Sequence, residues 1–370
     1  MKLRIVAVGA LLGLAACAST SGPPSYTKEA WDAAVRERGL DPLQVIYPFA
    51  VTPRMEDWAR EAMTRGTGVL GRLAQLQRGL FDDDEFPFRY VEELTLPASE
   101  AFRRMEGNCL SFTSLFVALA RSQGFAVRLV EVERVLEASR EEGLVVINRH
   151  VVAGYPHGGK LYIYDFYENA ESRYIGYRIA DDVTASALVH TNLGARWLLD
   201  EVYAEALNQF ILATRLDPGL ASAWVNLGVV RRRLGDREGA FEAYRKALEA
   251  SPGNASALTN LARLYSLQGR HEEARLALLA AARGFSSPYS LVALARLEAD
   301  RGHYRDARKY LSRARSKGPS IPEVWEAMGD MAEAAGEPDR ALRYRARALR
   351  LRRALEDEEV AEALETAPRR

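Results

Sequence analysis

Residues 107–121 read GNCLSFTSLFVALAR, a small polar turn followed by an apolar run that favours a buried helix. Cys109 stands at the start of this predicted helix. The chain has only one other cysteine, Cys17, which lies in an apparent export signal. We therefore expect Cys109 to have no disulfide partner within the chain, so its thiol is either buried and inert or chemically employed. This choice decides whether the protein is an enzyme.

The N-terminus predicts export and attachment to a membrane by lipid. Two cations precede an apolar run over residues 5–16, which is too short to span a bilayer. Residues 14–17 read LAAC and resemble the lipobox of bacterial lipoproteins, in which the cysteine is acylated and becomes the first mature residue. The resemblance implies a signal peptide over 1–16, lipidation at Cys17, a linker to residue 25 and an outer-membrane protein facing the periplasm. A plain secretion signal is the alternative.

The overall composition is that of a soluble globular protein with two or three domains. The 370 residues include 50 basic and 50 acidic side chains, so the formal net charge is zero. No concentrated basic face of the kind that binds nucleic acid is visible. We therefore expect no nucleic-acid partner.

A fixed period of 33 to 34 residues dominates residues 187–353. Glycines that close a turn recur at this spacing, each followed five residues later by an alanine: Gly235, Gly269, Gly302 and Gly336. The pattern resembles the tetratricopeptide repeat, in which two antiparallel helices form each unit. We count five repeats, the first starting at Ala187 with Glu201 in place of the turn glycine. Residues 354–370 are acidic and predict a capping helix end and a frayed tail.

The resemblance implies an all-α solenoid that binds an extended peptide or a protein partner on its concave face. Three asparagines, Asn192, Asn226 and Asn260, occupy one equivalent position expected to face that groove. They form either a ladder that grips a peptide backbone or a structural consensus position. Both interpretations remain open from the sequence.

Two alternating segments, residues 145–155 and 160–166, predict strands joined by a turn at His157 and Gly158. In a hairpin that closes symmetrically about this turn, Tyr155 faces Lys160 and His150 faces Asp165. Directly opposed residues share one face of a sheet, with Cβ atoms about 4.5–5.5 Å apart. The register therefore predicts that a histidine and an aspartate lie side by side.

A cysteine at a helix start, with a histidine and an aspartate on neighbouring strands, is what a thiol nucleophile requires. The helix N-terminus is expected to stabilise a thiolate at Cys109. His150 would exchange the proton with the thiol and the leaving amine, and Asp165 would orient the imidazole. The Cys109 backbone amide would supply part of an oxyanion hole. We expect no cofactor and no metal, since no set of zinc ligands accompanies these residues.

The segments around this site resemble the transglutaminase-like (papain-like) superfamily over roughly residues 90–170. The motif Gly107-x-Cys109, the LAR of residues 119–121 and the GFAVR of residues 124–128 carry the resemblance, with Tyr90 upstream and His150 and Asp165 in order. It implies an α+β domain over residues 26–186, with its core at about 88–180.

The resemblance also implies a function. A thiol site of this superfamily acts on peptide or isopeptide amide bonds through a thioester, by hydrolysis as in a peptidase or amidase rather than by transglutaminase-like cross-linking. The predicted fold class is thus a transglutaminase-like α+β domain followed by a solenoid of tetratricopeptide repeats. The alternative is a catalytically inactive thiol fold within a repeat-based scaffold that binds protein.

Overall fold

The computed structural model of the chain describes residues 6–8, 27–81, 86–133, 150–165, 176–282 and 287–366. The described residues up to Leu234 form one compact unit, and those from Gly235 onward form a second. The first unit thus extends well beyond residue 186, where the sequence analysis placed the end of the transglutaminase-like domain. This domain, which contains Cys109, is called the thiol domain below. Among the described helices, none combines the length and the apolar character needed to cross a bilayer.

The first unit combines helices with a small antiparallel sheet. Its elements in chain order are β1 (Val6–Val8), α1 (Lys28–Glu37), a 3-10 turn (Pro42–Gln44), α2 (Pro53–Ala62), α3 (Gly68–Gly79), β2 (Arg89–Tyr90), α4 (Ala98–Arg104), β3 (Glu106–Gly107), α5 (Cys109–Ser122), β4 (Arg128–Glu133), β5 (His150–His157), β6 (Lys160–Tyr164), β7 (Gly176–Ala180), α6 (Asp182–Leu199), α7 (Tyr203–Leu216) and α8 (Ala221–Arg233).

Helix α2 shows how local sequence sets these boundaries. The Thr52 side chain caps the helix by accepting from the Met55 N–H at 3.4 Å, and Pro53 occupies the first helical position, as its fixed φ favours. Met55, Ala59 and Met63 recur at helical spacing and are fully buried. The cap and the buried face of α2 thus follow from its local sequence.

The main sheet has the strand order β1-β6-β5-β4-β7, and every neighbouring pair is antiparallel. Strands β2 and β3 form a separate two-stranded parallel ladder that pairs Tyr90 with Gly107. Helix α5 begins at Cys109, as predicted, and each of its residues from Leu110 to Ala120 is buried. This buried helix is therefore the centre of the first core, and it presents Cys109 where the helix begins.

The predicted hairpin exists, but its predicted register is wrong. The turn consists of Gly158 and Gly159, whose φ angles of 57° and 72° lie in the left-handed region that tight two-residue hairpin turns require. His157 consequently pairs with Lys160, and Tyr155 pairs with Tyr162 instead of Lys160. The actual turn is thus centred one residue later than the sequence suggested.

The first helix pair of the repeat region packs on the thiol domain. At the end of α5, Arg121 Nη1 contacts both carboxylate oxygens of Asp182, the first residue of α6, at 2.9 Å. Trp31 of α1 donates from its indole N–H to Ser186 Oγ at 3.0 Å in a buried contact. These bonds join α6 to the first compact unit, which extends through Leu234.

The second unit consists of helices in regular succession. They are α9 (Arg237–Ala250), α10 (Ala255–Leu267), α11 (His271–Ala281), α12 (Pro288–Asp300), α13 (Tyr304–Lys317), α14 (Pro322–Ala334) and α15 (Pro338–Thr366). Helices α6 to α15 therefore supply the five predicted helix–turn–helix segments. The four turn glycines have φ between 72° and 84°, and Glu201, which replaces the first of them, also has a positive φ of 59°.

The C-terminal segment is helical over more of its length than the predicted helix end and tail implied. Helix α15 continues without interruption from Pro338 to Thr366, so most of the acidic stretch after residue 354 is helix and not a frayed tail. Strong helix formers such as Ala, Leu and Glu fill this stretch, and they outweigh its acidic repulsion. Residues 367–370 lie outside the described residues.

Candidate functional site

Cys109 lies where helix α5 meets the beginning of strand β5. The backbone N–H groups of Leu110 and Val151 are within hydrogen-bonding reach of its sulfur, and the residue is half-buried. One turn further along α5, Thr113 donates from its hydroxyl to the Val151 carbonyl at 3.3 Å. The helix is thus fixed against the residue that follows His150, so Cys109 and His150 are brought to the same end of the sheet.

His150 and Asp165 are joined directly. His150 Nε2 lies 2.7 Å from Asp165 Oδ1, and the two side chains are only 10% and 18% exposed. In the observed register these residues are diagonal neighbours, which long side chains bridge readily. A carboxylate acceptor keeps the imidazole proton on Nε2, so Nδ1 carries the lone pair that a general base requires.

The electrostatics of Cys109 differ from the predicted thiolate. Burial raises the pKa of the Cys109 thiol to about 11; the Leu110 N–H opposes this effect, and the negative charges of Asp165 and Glu92 add to it. The expected stabilisation by the helix N-terminus is therefore present but too weak, since desolvation of a charged sulfur costs more than two backbone N–H groups return. The resting site holds a neutral thiol.

The N-cap of α5 is a saturated polar network around Asn108. Asn108 Oδ1 accepts from the Ser111 N–H at 3.1 Å, while Nδ2 donates to Glu92 O at 3.2 Å and to Thr95 Oγ1 at 2.7 Å. Asn108 is only 5% exposed. Because both amide hydrogens and the oxygen are engaged, the side chain holds residues 92–95 against the start of the helix.

Gly107 has a steric role in the same turn. Its φ is 150°, and a Cβ at this position would lie 2.5 Å from Ser111 Cβ. Only glycine accommodates both the backbone conformation and the close approach of Ser111. The glycine of the Gly-x-Cys motif is therefore required for the turn that presents Cys109.

The three repeat asparagines do not form an exposed ladder. Asn226 and Asn260 are only 5% and 6% exposed, and Asn260 donates to the Ser256 carbonyl of its own helix at 3.0 Å. Asn192 is half-buried and donates to Thr95 Oγ1 at 3.3 Å. Of the two interpretations, the burial and bonding of these amides favour the structural one over the peptide-gripping one.

Three contributors to the site were not among the predicted site residues. Gln77 on α3 is buried and donates from Nε2 to the backbone carbonyl of Asp165 at 2.9 Å, which fixes the strand end that bears the carboxylate. Thr95 and Asn108 complete the network at the helix start. Asn108 alone had a local signal, since a polar residue directly before an apolar run is a common N-cap.

Two other predictions concern residues and groups away from this centre. Cys17, the predicted lipidation site, lies outside the described residues. Within the described residues, no group of three or more His, Cys, Asp or Glu side chains could hold a metal ion.

Comparison with known families covers both parts of the chain. Residues 56–157 match the model of the transglutaminase-like superfamily. Three models described as tetratricopeptide repeat match residues 219–287, 288–331 and 324–359.

Individual curated relatives match about a quarter of the chain. The chain is 35% identical over 99 residues to the photosystem I assembly protein Ycf3 of Rippkaea orientalis, a match that covers 26% of this chain and 56% of the relative. The Ycf3 protein of Cyanophora paradoxa is 35% identical over 89 residues, covering 23% and 51%. The chain thus spans about half the length of the curated relatives it matches.

Similar solved structures include pilF of Pseudomonas aeruginosa, with 25% identity, a TM-score of 0.41 and coverage of 50% of this chain and 90% of that one. Another is PilW, a type IV pilus biogenesis factor, with 20% identity, a TM-score of 0.42 and coverage of 46% and 79%. Together with the family matches, the architecture identifies the chain as a transglutaminase-like domain followed by tetratricopeptide repeats.

Proposed function

We propose that Cys109, His150 and Asp165 form a thiol site that hydrolyses peptide or isopeptide amide bonds through a thioester. The observation that carries the proposal is the 2.7 Å contact between His150 Nε2 and Asp165 Oδ1, next to a strand residue whose N–H reaches the Cys109 sulfur. The histidine–carboxylate pair would supply the base and the orienting group that a thiol nucleophile requires for acyl transfer.

The raised pKa of Cys109 determines how the first step proceeds. With a pKa of about 11, roughly one thiol in 3,000 is ionised at pH 7.5. His150 Nδ1 therefore takes the proton as the sulfur attacks the carbonyl carbon, and Asp165 stabilises the imidazolium that forms. The Cys109 N–H has no acceptor within the helix, so it is available to bind the oxyanion of the tetrahedral intermediate.

The remaining steps restore the site. His150 returns its proton to the leaving nitrogen, the carbon–nitrogen bond breaks and an amine leaves a thioester on Cys109. A water molecule then attacks the thioester while His150 takes one of its protons. The acid is released when this proton returns to the sulfur, which regenerates the neutral thiol.

The proposal is tested with p-nitrophenyl acetate as an acylating probe. At pH 7.5 we expect one acetyl group per chain, located at Cys109 by mass spectrometry, with released nitrophenolate as the kinetic signal. His150→Ala should slow acetylation at least about a hundredfold, because the neutral thiol loses its base. His157→Ala is the matched control, since this histidine lies exposed on the same strand. Acetylation that proceeds equally fast in His150→Ala, or not at all in the wild type, would contradict the proposal.

A specific observation also favours a second function, that of a catalytically inactive scaffold. Burial raises the pKa of the Cys109 thiol to about 11, as in a structural thiol. A scaffold predicts that Cys109→Ala keeps full function in the cell, whereas Gly235→Pro, which disrupts a repeat turn, loses it. The hydrolase predicts loss in both variants.

The repeats and the N-terminus complete the proposed function. Tetratricopeptide repeats generally mediate protein–protein interaction, so we assign residues 187–353 to binding a peptide or protein partner. A lipid on Cys17 would hold the chain at the outer membrane facing the periplasm. Metabolic labelling with palmitate should mark the wild type and not Cys17→Ser; equal labelling of both would contradict the anchor. Cleavage before Cys17 would also remove β1 from the edge of β6.

A further inference from the structure

We propose that Asn192 of the first repeat helix is a positioning residue for Cys109, acting through Thr95 and Asn108, so that the repeat region controls the thiol. The inference rests on the proposed function only in taking Cys109 as the reactive group. Its physical basis is a continuous chain of hydrogen bonds from helix α6 to the N-cap of helix α5.

Thr95 links the two amides in this series of hydrogen bonds. Its Oγ1 accepts from Asn108 Nδ2 at 2.7 Å and from Asn192 Nδ2 at 3.3 Å. A hydroxyl oxygen has two lone pairs, so these two amides use its whole acceptor capacity. Thr95 is only 7% exposed, and water therefore has little access to replace either bond. A change at Asn192 therefore affects the hydrogen bond of Asn108, because both amides donate to the Thr95 hydroxyl oxygen.

The segment around Thr95 moves as one body with the start of α5. Ser111 Oγ donates to the Leu94 carbonyl at 3.1 Å and accepts from the Leu96 N–H at 2.7 Å, and the Asn108 N–H donates to the same Leu94 carbonyl at 2.8 Å. These bonds lie on both sides of Thr95 in the sequence. A displacement of Thr95 is thus transmitted to the turn that presents Cys109.

Helix α6 holds this segment at a second point. Arg196, one turn after Asn192, forms an ion pair with Glu93. At the opposite end of α5, Arg121 binds Asp182 of the same helix α6. Helix α6 therefore bonds Arg121 near the C-terminal end of α5 and, through Glu93 and Thr95, the segment that is hydrogen-bonded to the N-terminal end of α5.

The repeat position explains what is unusual about Asn192. Asn260 occupies the equivalent position and bonds to its own helix, at Ser256 O. In the first repeat the Asn192 amide instead donates to Thr95 of the thiol domain. The equivalence provides a control variant, Asn260→Ala, which removes the same amide from a repeat without touching the site.

Burial and the charges near the sulfur determine the direction in which loss of the Asn192 bond shifts the pKa of Cys109. Burial is the largest cause of the raised pKa of Cys109, and the charges of Asp165 on the strand hairpin and Glu92 in the segment held by Asn108 raise it further. Loosening residues 92–95 admits water to the sulfur and lets Glu92 move away. Both changes lower the pKa of the thiol and increase its reactivity toward a small electrophile.

The experiment measures the rate of Cys109 alkylation by iodoacetamide between pH 7 and 11 on the purified full chain, with peptide mapping to assign the adduct. The free energy of one hydrogen bond corresponds to about a three- to tenfold faster alkylation at pH 8 in Asn192→Ala, with the midpoint of the pH profile lower by about half a unit to one unit. Thr95→Val should give the same change, and the double variant should add little to it.

Asn260→Ala should leave the pH profile unchanged. A profile of Asn192→Ala that matches the wild type would overturn the proposal, as would equal shifts in Asn192→Ala and Asn260→Ala, which would indicate general loosening. Failure of the hydrolase proposal has a different signature. In that case p-nitrophenyl acetate leaves Cys109 unmodified, while iodoacetamide still reports the effect of Asn192.

Discussion

The stability of the wild type relative to Cys109→Ala should fall as the pH rises above 9. The pKa of the thiol is about 11 in the folded protein, against an ordinary value of 9.0, because burial penalises the thiolate. A group whose folded pKa is raised contributes stability that is complete below pH 9 and is lost as the pH rises toward 11. At about 1.4 kcal/mol per pH unit, the loss is on the order of 3 kcal/mol.

The measurement is the free energy of unfolding in urea at pH 8, 9, 10 and 11, followed by tryptophan fluorescence, for the wild type and Cys109→Ala. The difference between the two proteins isolates Cys109. Other groups that titrate in this range, such as Tyr47, whose pKa burial raises to about 12, contribute equally to both. We expect the stability of the wild type relative to Cys109→Ala to be constant up to about pH 9 and then to fall.

The outcome also separates the two descriptions of the site. A thiolate stabilised by the helix N-terminus would have a folded pKa below 9, and the wild type would then gain stability over Cys109→Ala as the pH rises toward 9. If the stability of the wild type relative to Cys109→Ala rises with pH, the neutral-thiol description is refuted. The requirement that His150 remove the proton during attack is then refuted with it. A flat difference from pH 8 to 11 would refute both descriptions.

Three further substitutions test the surroundings of the site by urea unfolding. Asn108→Asp keeps the acceptor for Ser111 but loses both donors, so we expect a loss of about 2–4 kcal/mol; a loss below about 1 kcal/mol would contradict the saturated network. Gly107→Ala should cost at least about 2 kcal/mol through its φ of 150° and the contact with Ser111, whereas Gly253→Ala, where a Cβ meets nothing within 4 Å, should cost little. His190 is buried, accepts from the Ile46 N–H and bonds Gln209, and burial lowers its pKa from 6.5. The wild type should therefore lose stability as the pH falls below about 6.5, and His190→Gln should show a shallower decline; identical slopes would exclude His190 as the cause.

The hairpin shows why a partly wrong prediction still found the site. The sequence predicted that His150 directly opposes Asp165, and the true turn at Gly158–Gly159 shifts the pairing by two residues. Side chains alternate faces with a period of two, so a shift of two residues keeps both side chains on the same face. The histidine and the aspartate remain diagonal neighbours and meet at 2.7 Å. A shift of one residue would have separated them.

The protonation of Cys109 was not predictable from the same sequence. A helix N-terminus is a local feature, and the motif around Cys109 reveals it directly. Desolvation depends instead on what surrounds the sulfur, including strand β5, which begins 41 residues later in the chain. The stabilising helix start was therefore visible in the sequence, whereas the stronger opposing effect of burial was not. At Cys109 the burial of the sulfur outweighs the effect of the helix start and raises the pKa of the thiol.

The repeat asparagines show the same limit of prediction: the sequence reveals their position in the repeat but not what packs against it. Periodicity correctly places Asn192, Asn226 and Asn260 at one position of the repeat, but it does not state what covers that position. In the first repeat the thiol domain itself supplies the cover, because α6 packs against α1 and α5 through Ser186 and Asp182. The Asn192 amide therefore donates to Thr95. In a solenoid without this domain, the same amide would be available to bind a ligand. A repeat docked on an enzyme-like domain thereby loses one binding position and gains a physical link to the thiol.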